Sequence, residues 1–196
     1  MLVFGYVMTS LVMLHPSSPH PLGSTLLHNE GPSMRHRLRK LGILTPELLY
    51  MSKKTIIEEY IEGGNLYSMF ERKGDISFAS QAGILTARLH KAGLVFLDNK
   101  SENYLVDGHN QLIRTDLGFI MKENSVFSRS MDIASFLASL MDLSNSDYRA
   151  IHGTFIKAYI NETGKSCPYL YLVLRNIIAL VLTSSQINTF TNMVMS

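Results

Sequence analysis

The 196-residue chain has no tryptophan, a single cysteine and few charges, which make up 17% of its residues. One cysteine, Cys167, excludes an intramolecular disulfide and a cysteine-rich zinc site. The 18 basic and 16 acidic residues nearly cancel, so no general basic field favours direct nucleic-acid binding. Hydrophobic residues make up 46%, which is enough for a sizeable core and excludes a disordered chain.

The first 29 residues contain no Asp, Glu, Lys or Arg. The apolar run over residues 1–14 is shorter than the ~20 residues that a membrane-spanning helix needs. It also lacks the positive start of a secretory signal, and a Pro-, Ser- and His-rich stretch follows it. We expect one or two strands in residues 1–14 and a soluble, cytoplasmic protein that does not associate with membranes.

The remaining pattern predicts an α+β protein with a small sheet at the front and helices behind. A short basic helix over residues 34–41 precedes a strand pair within residues 48–61. Apolar residues at three- and four-residue spacing predict a helix over 75–91, and a tight hairpin follows at 104–114. Further helices are expected near 129–142, 146–162 and 167–184. The basic face of the first helix is interpreted as solvated.

The most informative polar residues surround this hairpin. Asp98, Lys100 and Asn103 share the loop before it, and Asp116 follows its second strand. Because a hairpin returns the chain to its start, we expect Asp116 to lie beside Asn103. Carboxylate and amide oxygens are suitable ligands for Mg²⁺, and a further Asp with a nearby Lys suits phosphoryl transfer.

The two stretches resemble the catalytic core of the protein-kinase superfamily, H-R-D-x-K-P-x-N followed by D-F-G. Here they read FLDNKSEN over residues 96–103 and DLG over 116–118. The resemblance implies that Asp98 is the catalytic base and that Lys100 contacts the transferred phosphate. It makes Asn103 and Asp116 the metal ligands, and it implies ATP and Mg²⁺ as cofactors.

Residues 55–63, TIIEEYIEG, resemble the last small-lobe strand and the hinge of this superfamily. The resemblance implies that backbone groups of Glu59, Tyr60 and Ile61 hold the adenine ring. The short segment after the DLG motif is similar to the small atypical kinases of the KEOPS tRNA-modification complex and, more distantly, to RIO-type kinases. We therefore expect a reduced, β-rich N-lobe over residues 1–62, a mainly helical C-lobe over 63–196, and a protein substrate or partner.

Two elements of a working kinase are not found in the sequence: a glycine-rich loop and a strand lysine paired with a helix glutamate. No Lys or Arg precedes Arg35, and Glu30 is the one candidate for the helix carboxylate. Three hypotheses follow: a weak serine/threonine-type kinase or ATPase, a pseudokinase-like nucleotide-binding interaction module, or a chain whose start is truncated or altered. A sugar- or aminoglycoside-type kinase is a further alternative.

Two other polar residues have structural interpretations. We expect His90 to pack in the core as a hydrogen-bonded imidazole. Asp132 is interpreted as a helix N-terminal or loop-anchoring carboxylate.

Overall fold

The computed structural model describes residues 23–73 and 75–179. The strands predicted for residues 1–14 and the end of the last predicted helix lie outside these residues. Within them the protein is α+β and mostly helical, as predicted, with three separate two-stranded antiparallel sheets.

The predicted elements occur in the predicted order, and the helix Ser24–Asn29 and the strand Met121–Lys122 were not predicted. The helices are α1 (Ser24–Asn29), α2 (Pro32–Lys40), α3 (Leu66–Lys73), α4 (Ser77–Lys91), α5 (Val126–Ala138), α6 (Asn145–Thr163) and α7 (171–179). The strands are β1 (Leu48–Met51), β2 (Ile56–Glu58), β3 (Leu94–Val95), β4 (Tyr104–Val106), β5 (Leu112–Arg114) and β6 (Met121–Lys122), and a 3₁₀ turn spans Ser101–Asn103. The pairs are β1–β2, β3–β6 and β4–β5.

Side-chain caps explain where several helices begin. The carboxamide oxygen of Asn65 accepts a hydrogen bond of 2.9 Å from the Ser68 amide at the start of α3, which is the contact of an N-cap residue. The Ser125 side chain caps α5 in the same way. Helix α6 ends at Gly164, whose φ of 64° is the left-handed conformation common at helix ends.

The core is centred on the contact between α4 and α6. A Cβ placed on Gly83 of α4 would lie 2.5 Å from the carbonyl oxygen of Phe155 in α6, so only glycine permits this close approach. Phe155 also stacks on Phe136 of α5, with ring centroids 4.6 Å apart. These contacts fix the helical layer behind the β4–β5 hairpin.

The segment after β2 packs directly against the β4–β5 hairpin. The Val106 amide donates a 3.0 Å hydrogen bond to the Gly64 carbonyl. A Cβ on Gly63 would overlap the Val106 carbonyl oxygen at 1.4 Å, so a glycine is required there. On the other edge, the Arg114 amide donates to the Leu44 carbonyl over 2.8 Å. The front of the molecule is thereby joined to the hairpin that carries the predicted site.

Between residues 23 and 179, Gly74 excepted, no helix is long and apolar enough to cross a bilayer.

The close approach at Gly83 gives a paired prediction. We expect Gly83→Ala to lower the free energy of unfolding by about 1–3 kcal/mol, because the methyl group forces α4 away from α6. A Cβ on Gly153 of α6 would meet no neighbouring atom within 4 Å, so Gly153→Ala should raise stability by roughly 0.5–1 kcal/mol. Urea unfolding monitored by circular dichroism measures both. Equal effects of the two substitutions would contradict this packing.

Candidate active site

The loop after β3 brings three of the predicted residues together. The Lys100 ammonium lies 2.8 Å from the Asp98 carboxylate. The Asn103 amide nitrogen donates to the Asp98 carboxylate over 3.2 Å and to its backbone carbonyl over 2.9 Å. Because Nδ2 of Asn103 makes both contacts, its carbonyl oxygen Oδ1 is left for another partner.

A buried carboxylate fixes the backbone just before Asp98. Asp132 is fully buried and accepts hydrogen bonds from the amides of Phe96 and Leu97, at 2.7 and 2.6 Å. Leu97 has a φ of 62°, a strained conformation for a residue other than glycine. The two charge-assisted hydrogen bonds hold that conformation and thus aim Asp98. Asp132 therefore anchors the loop, which agrees with one of the two roles that the sequence suggests for it.

His90 completes this anchor. Its Nε2 lies 3.0 Å from the Asp132 carboxylate and its Nδ1 lies 2.9 Å from the Tyr159 hydroxyl. The imidazole is buried and both nitrogens have partners. The prediction that His90 is a hydrogen-bonded core residue is confirmed.

Arg114 holds the loop from the other side. Its guanidinium donates to the backbone carbonyls of Asp98, at 2.9 Å, and Asn103, at 3.3 Å. It also lies over the rings of Phe96 and Tyr104, 4.4 and 5.0 Å from their centroids. The side chain is completely buried, and in the described parts of the chain it forms no ion pair with a carboxylate. Carbonyl dipoles and aromatic faces balance its charge instead.

Asp116 lies within electrostatic reach of this cluster. Partial desolvation raises the pKa of its carboxyl, and the negative charge of Asp98 raises it further, while Arg114 and Lys100 oppose both effects. Its φ of 53° turns the chain sharply at the start of the DLG segment. Among the described residues, nothing donates a hydrogen bond to its side chain.

The oxygen atoms of Asp116 and Asn103 are of the chemical type that Mg²⁺ prefers. The Asp116 carboxylate and Oδ1 of Asn103 are hard ligands, and Mg²⁺ is held in proteins by one or two carboxylates together with substrate phosphates. An Asp destabilised by a neighbouring Asp and lacking a donor is also a group that a divalent cation would stabilise. Within residues 23–73 and 75–179 no group of three His, Cys, Asp or Glu side chains forms a complete metal cage.

Asn29 and Glu30, which precede α2, form hydrogen bonds with the backbone of the DLG loop. The Glu30 carboxylate accepts from the amides of Leu117 and Gly118, at 2.7 and 2.8 Å. The Asn29 amide nitrogen donates to the carbonyls of Gly118 and Ile120, at 2.8 and 2.6 Å. Glu30, the one candidate in the sequence for the helix carboxylate, thus holds the DLG segment from a position between α1 and α2, outside both helices.

The cation that pairs with Glu30 comes from α2. Arg35 contacts the Glu30 carboxylate at 3.2 Å, the Pro46 carbonyl at 2.7 Å, and the Glu58 carboxylate. Arg35 is only 5% exposed, so the interpretation of the basic helix as a solvated face is wrong at this position. Periodicity alone could not reveal that its side chain reaches β2 and the loop before β1.

The predicted hinge residues lie in the extended segment after β2. The Glu59 amide donates to the Glu47 carbonyl over 2.8 Å and is therefore occupied. In the described chain, the amides of Tyr60 and Ile61 donate no hydrogen bond, and Tyr60 is 85% exposed.

Comparisons with known proteins find similarity to protein kinases. The chain is 28% identical over 134 residues to the serine/threonine-protein kinase KIN4 of Saccharomyces cerevisiae, covering 63% of this chain and 17% of that protein. It is 31% identical over 87 residues to the ribosomal protein S6 kinase beta of Caenorhabditis elegans, covering 39% and 16% of the two chains. The chain is distantly similar to these protein kinases.

The chain also resembles archaeal proteins of tRNA threonylcarbamoyladenosine biosynthesis. It is 23% identical over 124 residues to the "Probable bifunctional tRNA threonylcarbamoyladenosine biosynthesis protein" of Methanococcus maripaludis, covering 62% of this chain and 22% of that protein. No family model matches the chain. In each of these comparisons the match spans less than a quarter of the relative's length. The matches support a kinase-like phosphotransferase or ATPase family.

Sequence reasoning missed two residues that shape the site. The sequence pattern places Arg114 only in a strand and Arg35 only in a basic helix. A basic residue two positions before the DLG Asp, inside a strand of otherwise apolar residues, is the one signal that could have drawn attention to Arg114.

The environment of Asp116 predicts a cost in stability. Its pKa is raised in the folded protein, so the carboxylate opposes folding once the pH exceeds the ordinary Asp range. Asp116→Asn should therefore raise the melting temperature at pH 7, and the gain should disappear as the pH falls below about 4. Asn also tolerates a positive φ. A variant less stable than the parent at neutral pH, without metal, would contradict this electrostatic account.

The contacts of Arg114 predict that replacing it with methionine costs less stability than replacing it with lysine. The two carbonyls that it contacts have other donors, so Arg114→Met should change the unfolding free energy by about 1 kcal/mol or less. Arg114→Lys keeps a buried charge with fewer partners and should cost about 1–3 kcal/mol. Both variants should exchange the amide hydrogens of residues 98–103 faster than the parent, which hydrogen-exchange mass spectrometry measures. Unchanged exchange in both would show that Arg114 does not hold the loop.

Proposed function

We propose that the chain is an ATP- and Mg²⁺-dependent phosphotransferase of the atypical serine/threonine-kinase type, acting on a protein hydroxyl or mainly as an ATPase. The observation that carries this proposal is the cluster of Asp98, Lys100 and Asn103 beside Asp116. Each has the residue type and the position that the kinase resemblance requires. The names of the kinase relatives support the same class of reaction.

Each member of the cluster has a role that its surroundings support. Asp98, aimed by the anchored backbone, would orient an acceptor hydroxyl and take up its proton. Oδ1 of Asn103 and the Asp116 carboxylate would hold Mg²⁺. The metal, when bound, neutralises charge on the phosphate oxygens as the terminal phosphoryl group moves.

Lys100 has to change partners during such a reaction. In the structure its ammonium pairs with Asp98, and both side chains are partly exposed, at 32% and 25%. A phosphate that approached the loop would compete for this ammonium with Asp98. Pairing of Lys100 with phosphate would release the Asp98 carboxylate for the acceptor hydroxyl. A partly exposed ion pair is weak enough for this exchange.

The adenine contacts that we propose come from the segment after β2. Because the Glu59 amide is occupied by Glu47, the amide donors left for a base are those of Tyr60 and Ile61. The segment packs on the β4–β5 hairpin at Gly63 and Gly64, which would bring a bound base towards the metal loop. On this proposal residues 1–62 form the small lobe and residues 63–196 the large lobe.

One observation favours a second candidate, a pseudokinase-like module that binds nucleotide without turnover. Glu30 is the carboxylate that would pair with a strand lysine, and here it is engaged by Arg35 and by two backbone amides. A lysine that positions phosphates through Glu30 would have to displace Arg35. Loss of one such electrostatic contact typically costs about 10²–10³ in rate.

The two candidates are separated by binding and turnover measured on the same protein. We expect ATP to raise the melting temperature only when Mg²⁺ is present, and phosphate to be released slowly. Asp116→Asn should abolish the Mg²⁺-dependent part of the shift, although it stabilises the ligand-free protein. Asp142→Asn is the matched control, because Asp142 is exposed and contacts only the Tyr67 hydroxyl in the described part of the chain.

Each outcome has a definite meaning. A shift without phosphate release favours the binding module. A shift that survives in Asp116→Asn shows that the metal assignment is wrong. An unchanged melting temperature in the parent protein, at millimolar ATP and Mg²⁺, rejects both candidates.

A further inference from the structure

A second polar pocket lies between the end of α4, the start of α5 and the loop after α6. Its volume is about 160 Å³, and none of the four candidate active-site residues lines it. Three cationic side chains from three chain segments line it: Lys91, Arg129 and Lys165. Asn124 and Ser166 add neutral hydrogen-bond donors, and no Asp or Glu is among its lining residues. His90 and Tyr159, which support the Asp132 anchor, form one wall of the pocket, while its cations and its neutral donors take no part in the proposed reaction.

Arg129 is the unusual member of this group. Its Nε is buried and has no acceptor among residues 23–73 and 75–179. In the same part of the chain its guanidinium forms no ion pair. A buried donor without a partner costs free energy, so such a group calls for an acceptor. Arg114 is the other described arginine with a buried, unpaired Nε. Its terminal nitrogens donate hydrogen bonds to two backbone carbonyls, whereas no hydrogen bond from Arg129 to a carbonyl is formed within residues 23–73 and 75–179.

The nearby Asp132 and Glu162 carboxylates already have partners, and one of these partners is Lys91 of the pocket. Both oxygens of Asp132 accept from backbone amides or His90. The Glu162 carboxylate lies 3.2 Å from Lys91 and 3.7 Å from Arg88. Lys91 is therefore partly neutralised, while Arg129 and Lys165 are not paired with any carboxylate in the described residues. Arg129 also affects the nearby Cys167 thiol. Burial raises the pKa of this thiol to about 12, and the positive charge of Arg129 opposes that increase.

We propose that this pocket binds a phosphate group, either as inorganic phosphate or as the monoester of a larger molecule. A guanidinium matches the spacing of two phosphate oxygens, and ammonium groups act as point charges on the others. Donors on separate segments surround the pocket, which suits a tetrahedral anion whose oxygens point in several directions. A planar carboxylate would be satisfied by Arg129 alone and would leave Lys165 without a role. The site does not depend on the proposed phosphotransferase activity.

The experiment is a titration of inorganic phosphate into the whole chain at constant ionic strength, with chloride replaced by phosphate. Binding is followed by calorimetry and by thermal shift. We expect Arg129→Gln to weaken phosphate binding by about 10–100-fold, the usual effect of losing a charge-assisted contact. Lys165→Gln should weaken it less, because the lysine side chain is exposed. Arg149→Gln, an exposed arginine on α6, is the matched control and should bind as the parent does.

Further arms identify the site and the source of the phosphate. Equal binding by the parent and Arg129→Gln would overturn the proposal, as would a thermal shift that sodium chloride reproduces. Binding that is lost in Lys100→Gln and kept in Arg129→Gln would place the phosphate in the candidate active site and overturn it as well. A parallel titration with O-phosphoserine distinguishes the sources: tighter binding than inorganic phosphate favours a monoester. If circular dichroism shows that Arg129→Gln does not fold, Arg129→Lys and Lys165→Gln replace it. Phosphate binding equal to that of the parent in both variants would then overturn the proposal.

Discussion

The arrangement of the candidate active site depends on the Asp132 carboxylate. It is completely buried and satisfies two backbone amides and one imidazole nitrogen at once. A buried charge is tolerated only when such contacts replace its hydration. In return, the carboxylate stabilises the positive φ of Leu97. That backbone turn decides where Asp98 lies, so the chemistry proposed for the loop depends on a side chain that does not take part in it.

The same principle extends to the rest of the site: buried charges are balanced by backbone groups. The Arg114 guanidinium is balanced by carbonyls of the loop, and the Glu30 carboxylate by amides of the DLG segment. Backbone dipoles are fixed by the fold, so Arg114 holds the loop without an ion pair in the described residues, whereas Glu30 combines its backbone contacts with an ion pair to Arg35. The loop and the DLG segment are held this way while the carboxylates of Asp98 and Asp116 remain partly accessible. The cost is electrostatic strain at Asp116, whose pKa is raised.

Local features of the site could be predicted from the sequence, and long-range partners could not. The hairpin predicts that Asp116 lies beside Asn103, and the amide of the preceding residue, Thr115, donates to the Asn103 carbonyl over 3.0 Å, because a tight turn fixes the geometry over a few residues. Periodicity correctly predicted the helix that ends at Lys91. The partners of Arg35 and Glu30 come from segments up to 88 residues away, and no local pattern encodes such contacts. Arg114 was missed for the same reason: its role follows from a loop that folds over it.

The pairing of Glu30 with Arg35 has a consequence for how a nucleotide would be held. In the kinase pattern, one lysine bridges the helix carboxylate and the phosphates, which links nucleotide binding to the position of the helix. Here Arg35 makes that link to Glu58 and Pro46 instead, within the front of the molecule. The helix and the DLG segment are therefore joined before any ligand binds. On the proposed function, Glu30 is already engaged by Arg35, so the contacts to phosphate in the described part of the chain would come from Lys100 and from Mg²⁺ held by Asn103 and Asp116.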